Sequence, residues 1–289
     1  MCATCGCGTD EASVTTVGLD GDHSHDHDHD HPHDHDHSHD HDHSHDHGDG
    51  DGHTHSHDHA FDELRTHTVE IEQLVLAKND HLAEHNRQWL ADRRVTAINL
   101  MSSPGAGKTT LLERTIKDFR SSISVIEGDQ ETLFDAERIK AAGARAVQVN
   151  TGSGCHLDAT MVQRALGQLD PVDDSLVFIE NVGNLVCPAL FDLGERSKVV
   201  IISVTEGDDK PLKYPHMFAA ADLVLLNKID LLPYVDFDLG RLTKDARQVN
   251  PGIEILPVSA RSGENLADWY DWLSGVPQHF NVTQITQAS

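Results

Sequence analysis

The chain has 289 residues and a formal net charge of -26, with 48 acidic residues against 22 Lys and Arg. Such an acidic surface argues against nucleic acid as a partner, because binding a phosphate backbone requires Lys and Arg. No apolar run approaches the roughly 20 residues that span a bilayer, and the N-terminus lacks the basic and apolar regions of a signal peptide. The sequence therefore predicts a soluble cytoplasmic protein that binds neither nucleic acid nor membrane.

Three of the five Cys residues, Cys2, Cys5 and Cys7, lie at the start of the chain, which we treat as a motif of residues 1–8. Three thiolates this close together, with the α-amino group as a possible fourth donor, suit a tight site for a thiophilic divalent ion. The alternative is a redox C-x-x-C pair, but that motif needs a thioredoxin-like strand and helix around it, which this segment lacks.

A tract rich in His and Asp follows, with 17 His and 12 Asp among the 38 residues from Asp22 to His59. Few large apolar residues are available to offset the ordering entropy, so residues 9–60 are predicted to be disordered without metal. Alternating imidazoles project together from an extended chain and bind transition metals. A solvated acidic tail would explain the Asp but not the His, and an expression tag does not fit a long, internal, alternating tract. The predicted low-affinity ligands are His23, His25, His27, His29, His31, His33, His35, His37, His39, His41, His43, His45, His47, His53, His55, His57 and His59.

Residues 61–94 carry apolar residues at helical spacing without Gly or Pro, which predicts one or two helices leading into a domain. Residues 95–280 then alternate short apolar runs with amphipathic stretches, and residues 281–289 form a tail. This alternation predicts an α/β domain with a doubly wound, mostly parallel sheet. The predicted strands are Val95–Met101, Ile123–Glu127, Ala144–Val149, Leu176–Glu180, Val199–Val204, Leu223–Asn227 and Ile253–Val258. The predicted helices between them include Thr110–Phe119, Leu133–Ala142, Asp158–Leu169, Leu239–Val249 and Glu264–Leu273.

A phosphate-binding loop is predicted after the first strand of the domain, where residues 102–110 read SSPGAGKTT. Gly residues let backbone N–H groups face phosphate oxygens, Lys108 reaches the β- and γ-phosphates, and the Thr109 hydroxyl binds Mg²⁺. Ser102 stands where the general pattern has Gly. A chance Gly-rich turn is the alternative, and the motifs that follow argue against it. The predicted residues are Gly105, Ala106, Gly107, Lys108, Thr109 and Thr110.

A guanine-binding motif is predicted from Asn227, Lys228 and Asp230, which directly follow an apolar strand. An Asp carboxylate at such a strand end accepts two N–H bonds from guanine, whereas adenine offers no matching donor pair. One βα unit later, Ser259-Ala260-Arg261 resembles the SAK element of GTPases, with Arg261 in place of Lys. Together these motifs predict GTP as the nucleotide.

Two acidic residues at strand ends, Asp129 and Glu180, are predicted to bind Mg²⁺ with Thr109. With Lys108 they form the predicted catalytic set. The alternative for each acid is a solvated turn. No Asp-x-x-Gly sequence follows the relevant strand, so signalling and translation GTPases are a poor match.

A second group of metal ligands is predicted from Cys155, His156 and Cys187, the first two directly after a Gly-rich loop at 152–154. Three ligands leave a tetrahedral site incomplete, so we expect the site to lie at a dimer interface and to be completed across it. The alternative is a buried structural Cys pair beside a loop His. Ni²⁺ and Zn²⁺ both suit these ligands.

Five segments together resemble the HypB family, the hydrogenase nickel-incorporation GTPases. The resemblance covers about residues 61–275, and the Cys motif in the first seven residues also matches this family. The resemblance implies a homodimeric GTPase of the SIMIBI class that uses GTP and Mg²⁺ and delivers Ni²⁺ to a [NiFe]-hydrogenase. Its implied partners are a HypA-type nickel metallochaperone and the hydrogenase large-subunit precursor. The segments are SSPGAGKTTLL at 102–112, EGDQET at 127–132, GCHLDA at 154–159, ENVGNLVCP at 180–188 and NKID at 227–230.

Slow intrinsic hydrolysis is expected, because nothing in the sequence resembles an efficient catalytic arm. Two alternatives stay open. One is a nickel store whose GTPase domain is regulatory. The other is a related GTPase that assembles the metallocentre of urease or of a cobalamin enzyme, which would not predict the N-terminal Cys cluster.

Overall fold

The structure is a computed structural model, and it describes residues 13–17, 58–129, 134–152 and 154–276. The strands in these residues are β1 Ser13–Val17, β2 Thr96–Ser102, β3 Ile123–Asp129, β4 Arg145–Asn150, β5 Leu176–Glu180, β6 Ser197–Ser203, β7 Leu223–Asn227 and β8 Glu254–Pro257. They form one sheet in the order β1-β4-β3-β5-β2-β6-β7-β8. The pair β1 and β4 is antiparallel and all other neighbours are parallel.

The helices complete the alternation that the sequence predicts. They are α1 Asp58–Asp92, α2 Lys108–Asp118, α3 Phe134–Ala141, α4 Ala159–Leu169, α5 Lys210–Lys213, α6 Pro215–Ala220, α7 Leu239–Val249 and α8 Leu266–Gly275. All seven predicted strands and all five predicted inter-strand helices form, with small shifts at their ends. The short helices α5 and α6 are additional. The doubly wound, mostly parallel α/β fold is therefore confirmed.

Strand β1 corrects the predicted extent of the disordered tract. Residues 9–60 were expected to lack structure, yet Ser13–Val17 pair with β4 along its whole length, Ser13 opposite Asn150 and Val17 opposite Ala146. Composition averaged over the tract hides this short β-branched run, SVTTV, which gains its stability from backbone pairing at a sheet edge. Helix α1 also begins within the predicted tract, at Asp58. The other residues of the tract lie outside the described residues.

Helix α1 is one continuous helix. The chain divides into two compact units, residues 20–71 and the remainder, and only residues 58–71 of the first unit are described. In the second unit the helix buries Ala83 and Leu90 completely or almost completely. Residues 72–92 of the helix are therefore part of the domain and more than a lead-in to it.

The core lies in two layers, one on each face of the sheet. Side chains alternate along β2, so Ile98 and Leu100 pack on one face with the fully buried Trp269 of α8. Ala97 and Met101 pack on the opposite face with α1, α4, α6 and α7. No described helix is long and apolar enough to cross a membrane.

The parallel pairing brings the carboxyl ends of four strands to one edge of the sheet. These ends carry Ser102 of β2, Asp129 of β3, Glu180 of β5 and Asn227 of β7. Ligands of open α/β sheets bind at the carboxyl ends of the strands. The fold thus places the predicted nucleotide motifs on the edge where a ligand is expected.

Candidate functional site

The loop between β2 and α2 has the geometry of a phosphate cradle. Gly107 has φ +101°, and a Cβ there would meet the Asn227 amide nitrogen at 2.5 Å, so Gly is required on both counts. Lys108 and Thr109 lie in the first turn of α2, where backbone N–H groups have no partner within the helix and suit phosphate oxygens. Lys108 donates from Nζ to Ser102 Oγ at 2.8 Å. Ser102, the departure from the general pattern, thus orients the lysine.

A cleft of about 550 Å³ opens beside this loop. Thr109 donates from Oγ1 to Glu180 Oε1 at 2.9 Å, so these two predicted Mg²⁺ ligands are adjacent. Asp129 lines the same cleft. The residues of the predicted nucleotide and Mg²⁺ sites that line it are Gly105, Gly107, Lys108, Thr109, Thr110, Asp129, Glu180 and Lys228.

Two buried carboxyls face this cleft with incomplete hydrogen bonding. Glu127 and Glu180 lie opposite each other on β3 and β5, and the Oε2 atom of each has no hydrogen-bond partner. Burial raises the pKa of Glu127 to about 8, and the charge of the neighbouring Glu180 acts in the same direction. Burial likewise raises the pKa of Glu180 to about 7, against the opposing effect of Lys108. Carboxylate oxygens are the donor type that Mg²⁺ prefers, so these residues fit that ion.

Glu127 is a residue that the predicted site omits. The sequence predicted the acid role for Asp129, two residues beyond the predicted end of the strand at Glu127. The structure extends β3 to Asp129, and Glu127 is only 2% exposed. The signal in the sequence that could have found Glu127 is an acidic residue that continues a strand of buried residues. Arg138 of α3 is a second omission, since its guanidinium lines the cleft while bonded to Glu113 and Asp135.

The guanine motif is assembled as a bonded unit. Asn227 donates from Nδ2 to the Ala106 carbonyl oxygen at 2.8 Å and accepts from the Ala260 N–H at 3.0 Å. Asp230 accepts from the Ser259 hydroxyl at 2.6 Å through Oδ1. Lys228 donates to the Gly105 carbonyl oxygen at 2.7 Å. The two motifs and the phosphate loop are thus joined, while the Arg261 side chain is exposed.

The structure also brings Cys155, His156 and Cys187 together, with one ligand atom of each within 4.8 Å of the others. The two sulfur atoms are 2.9 Å apart, and Cys155 Sγ is 3.5 Å from His156 Nδ1. Neither Cys is in a disulfide. Two thiolates about 2.3 Å from one tetrahedral ion lie about 3.8 Å apart, so the sulfurs would separate on binding. Soft thiolates with an imidazole fit Ni²⁺ or Zn²⁺.

The His156 ring is held ready for coordination. It stacks on Phe191, with ring centroids 3.9 Å apart. Burial lowers the pKa of His156 and so favours the neutral imidazole, the form that binds metals. Phe191 carried no signal in the sequence, because an aromatic residue in a loop is indistinguishable from one that fills the core.

A connecting loop, residues 181–187, runs from the nucleotide cleft to this cluster. Gly183 lies so close to Pro104 of the phosphate loop that a Cβ would meet three Pro104 atoms at 3.1 Å. Asn184 donates from Nδ2 to the Cys155 carbonyl oxygen at 3.3 Å. Cys187 ends the loop. One short segment therefore touches the phosphate loop, the Cys155 backbone and the metal-ligand cluster.

Comparisons with known proteins agree with this geometry. The nucleotide-binding domain family of CobW, HypB and UreG matches residues 96–257. The hydrogenase maturation factor HypB of Escherichia coli K12 is 58% identical over 207 residues, which cover 71% of this chain and 71% of that protein. The chain belongs to the HypB family. As a member of this family it is a P-loop GTPase, which confirms the resemblance seen in the sequence.

Two solved HypB structures share the fold. The crystal structure of HypB from Helicobacter pylori in complex with nickel is 39% identical, covers 68% of this chain and 94% of that chain, and has a TM-score of 0.65. HypB from Archaeoglobus fulgidus is 41% identical, covers 70% of this chain and 99% of that chain, and has the same TM-score of 0.65. Cys2, Cys5, Cys7 and the His tract up to His57 lie outside the described residues.

Proposed function

We propose that this HypB-family chain hydrolyses GTP to deliver Ni²⁺ into the precursor of a [NiFe]-hydrogenase. The observation that carries the proposal is the connecting loop, which joins the nucleotide cleft to Cys155, His156 and Cys187. Support also comes from the two HypB relatives, one named a hydrogenase maturation factor and one crystallised with nickel. In this proposal Ni²⁺ is the cargo and GTP hydrolysis sets when it is held or released.

The residues of the cleft divide the work of binding and orienting GTP. Asp230 would accept the guanine N–H donors through its second oxygen, since Oδ1 already accepts from Ser259. Lys108 and the first turn of α2 would hold the phosphates. Thr109, Asp129, Glu127 and Glu180 would hold Mg²⁺, which when bound supplies positive charge against the phosphate oxygens.

Hydrolysis by the isolated chain is proposed to be slow. Arg138 lines the cleft, but Glu113 and Asp135 hold its guanidinium at 2.8 Å and 3.0 Å. An Arg paired with two carboxylates is less available to stabilise charge on a transferring phosphoryl group. A second copy of the chain or a partner would then accelerate the reaction.

The bound nucleotide is proposed to change the positions of the metal ligands by moving the connecting loop. Ordering of the phosphate loop by GTP fixes Pro104, against which Gly183 packs. The same connecting loop holds the Cys155 backbone through Asn184 and carries Cys187, so its movement changes the separation of the two sulfurs. By thermodynamic linkage, metal at the cluster must in turn alter nucleotide affinity.

The remaining predictions complete the proposal. Three protein ligands leave room for a donor from a second copy, so the active form is proposed to be a homodimer with the cluster at its interface. Zn²⁺ would compete at the same ligands.

The N-terminal Cys motif would take up Ni²⁺ tightly, from a HypA-type metallochaperone or from the His tract, which would store it at lower affinity.

The test compares the response of GTP hydrolysis to buffered free Ni²⁺ in the wild type and in the Cys155→Ala variant. The wild type should change its rate with Ni²⁺, whereas Cys155→Ala should bind GTP normally and lose the response. Cys5→Ala is the matched control, because it removes a thiolate outside the cluster and should keep the response. An unchanged response in Cys155→Ala would overturn the coupling.

The rival function, a nickel store with a regulatory GTPase domain, gives a different result on deletion of residues 23–59. The proposal expects hydrogenase maturation at limiting nickel to continue while the amount of bound metal falls. The storage function expects maturation to stop. The deletion leaves β1 intact, so the sheet edge at β4 remains paired.

A further inference from the structure

Two imidazoles meet on the exposed side of α1, outside the Cys/His cluster. His81 and His85 are one helical turn apart, and both side chains are exposed. Their Nε2 atoms are 3.2 Å apart, and their rings meet edge to face at 85° with centroids separated by 4.7 Å. The two nitrogens that bind metals therefore already face one another.

The nitrogen separation matches the bite of a single metal ion. Two imidazole nitrogens that each lie about 2.0–2.1 Å from one ion, at an angle of about 90–109°, are about 2.9–3.4 Å apart. The observed 3.2 Å falls inside this range. A neutral pair would otherwise share one hydrogen bond in which one ring donates and the other accepts. A bound metal ion replaces that one hydrogen bond with two metal–nitrogen bonds.

The turn of α1 that carries the pair is fixed to the domain on its buried side. Asn79 donates to the Asp192 carbonyl oxygen at 2.8 Å and accepts from the Ala159 N–H at 2.9 Å. Asn86 donates to the carbonyl oxygens of Ala159 and Leu193 at 2.9 Å and 3.1 Å. These anchors bracket the two imidazoles in sequence. The pair consequently loses little backbone freedom on binding an ion.

We propose that His81 and His85 form a bidentate site for a first-row divalent transition-metal ion, with water in the remaining positions. Neutral imidazole suits Ni²⁺, Cu²⁺ and Zn²⁺. Two protein ligands give a weaker and more exchangeable site than three. The site is independent of the delivery function proposed above, because it rests on the geometry of α1 alone.

The experiment is carbethoxylation of His residues in the full chain at buffered free Ni²⁺, with metal stripped before tryptic digestion. Cleavage after Lys78 and Arg87 releases residues 79–87, whose only His are His81 and His85. Cleavage after Lys213 and Lys228 releases residues 214–228, whose only His is the exposed His216. This single imidazole is the internal control, and buffering keeps the His tract from depleting the free metal.

We expect Ni²⁺ to protect the His residues of 79–87 from carbethoxylation at a lower concentration than it protects His216. The free Ni²⁺ concentration for half-protection should be at least about tenfold lower for residues 79–87 than for residues 214–228, because two linked ligands act on one ion. In His81→Gln, protection of His85 should fall to the level of His216. Equal protection of the two peptides in the wild type would overturn the proposal. Undiminished protection of His85 in His81→Gln would also overturn it.

Discussion

Two residues, Glu127 and Glu180, set the electrostatics of the nucleotide cleft. Each is a carboxyl removed from water, with one oxygen that has no hydrogen-bond partner, and they face each other across neighbouring strands. A pair of buried acids resists ionisation until a cation arrives. The pair therefore fits the proposed magnesium site, and it carries a cost in stability while no cation is bound.

That cost should appear in the pH dependence of stability. The pKa of Glu127 is raised from its ordinary value to about 8, so the stability it contributes is present at low pH and is lost as pH rises through about 8. Without nucleotide and Mg²⁺, the melting temperature of the wild type should fall towards pH 8. Glu127→Gln, which stays neutral, should fall less, with a difference of at least about 1 kcal/mol or about 2–4 °C.

Differential scanning calorimetry at pH 5 to pH 8 in the presence of a chelator measures this difference. The subtraction of variant from wild type removes the contribution of the titrating groups that do not interact with Glu127. Parallel curves for the two proteins would show that Glu127 is ionised in the empty cleft, which would contradict the raised pKa of this residue.

Asp230 is the residue proposed to select guanine. Its Oδ1 is engaged by Ser259, so the guanine contact depends on the remaining oxygen and on the negative charge. Asp230→Asn replaces an acceptor by a donor and should weaken GTP binding by about 10–100-fold, since bonds to a charged group contribute about 1.5–3 kcal/mol. Xanthosine triphosphate should bind the variant better than GTP does. Competition binding measures both, and an unchanged preference for GTP would place the base elsewhere.

At the scale of elements, the connecting loop of residues 181–187 is the part that links the two sites. Its two ends are fixed by different chemistry. Glu180 is bonded to Thr109 of the nucleotide site, and Cys187 contacts Cys155 of the metal cluster. Between them Asn181 accepts the Leu157 N–H at 3.1 Å, next to His156. We therefore expect a shift of this loop to change both sites.

A single methyl group tests the contact at the phosphate loop. In Gly183→Ala the new Cβ would meet Pro104 at 3.1 Å, so either the connecting loop or the phosphate loop must move. Overpacking of this kind costs about 1–3 kcal/mol. Affinity for a GTP analogue should fall by about 5–100-fold, by the same free energy. Gly167→Ala on α4 is the matched control, because a Cβ there meets nothing within 4 Å. Equal affinities in the two variants, measured by calorimetry, would contradict the contact.

At the scale of the whole molecule, local pattern was sufficient wherever function needs residues close in sequence. The phosphate loop, the Asn227–Asp230 motif and every predicted strand of the domain are readable because βα units repeat with a fixed hydrophobic pattern. The Cys155, His156 and Cys187 cluster was predictable as a set of ligand types, and the 2.9 Å contact between the two Cys sulfurs was not. Edge strand β1 was not predicted, because its partner β4 lies more than a hundred residues away in sequence and the pairing is made by backbone groups.

More than half of the net negative charge lies in the N-terminal part of the chain. Of the formal charge of -26, residues 1–59 hold 15 acids with no base. The domain itself is only mildly acidic, and its chemistry is concentrated in a cleft and one adjoining cluster. In the proposed function, storage of metal and control of its release therefore belong to different parts of the chain.

In the proposed function, nucleotide state changes metal binding at Cys155, His156 and Cys187. The most direct measurement is the Ni²⁺ affinity of this cluster with a GTP analogue and with GDP. Chelator competition in a chain without residues 23–59, with Cys2, Cys5 and Cys7 replaced by Ser and His81 replaced by Gln, isolates the cluster while keeping β1. We predict affinities that differ by at least about fivefold between the two nucleotides, and loss of the site in Cys155→Ala. Identical Ni²⁺ affinities in the two nucleotide states would contradict this coupling between nucleotide and metal.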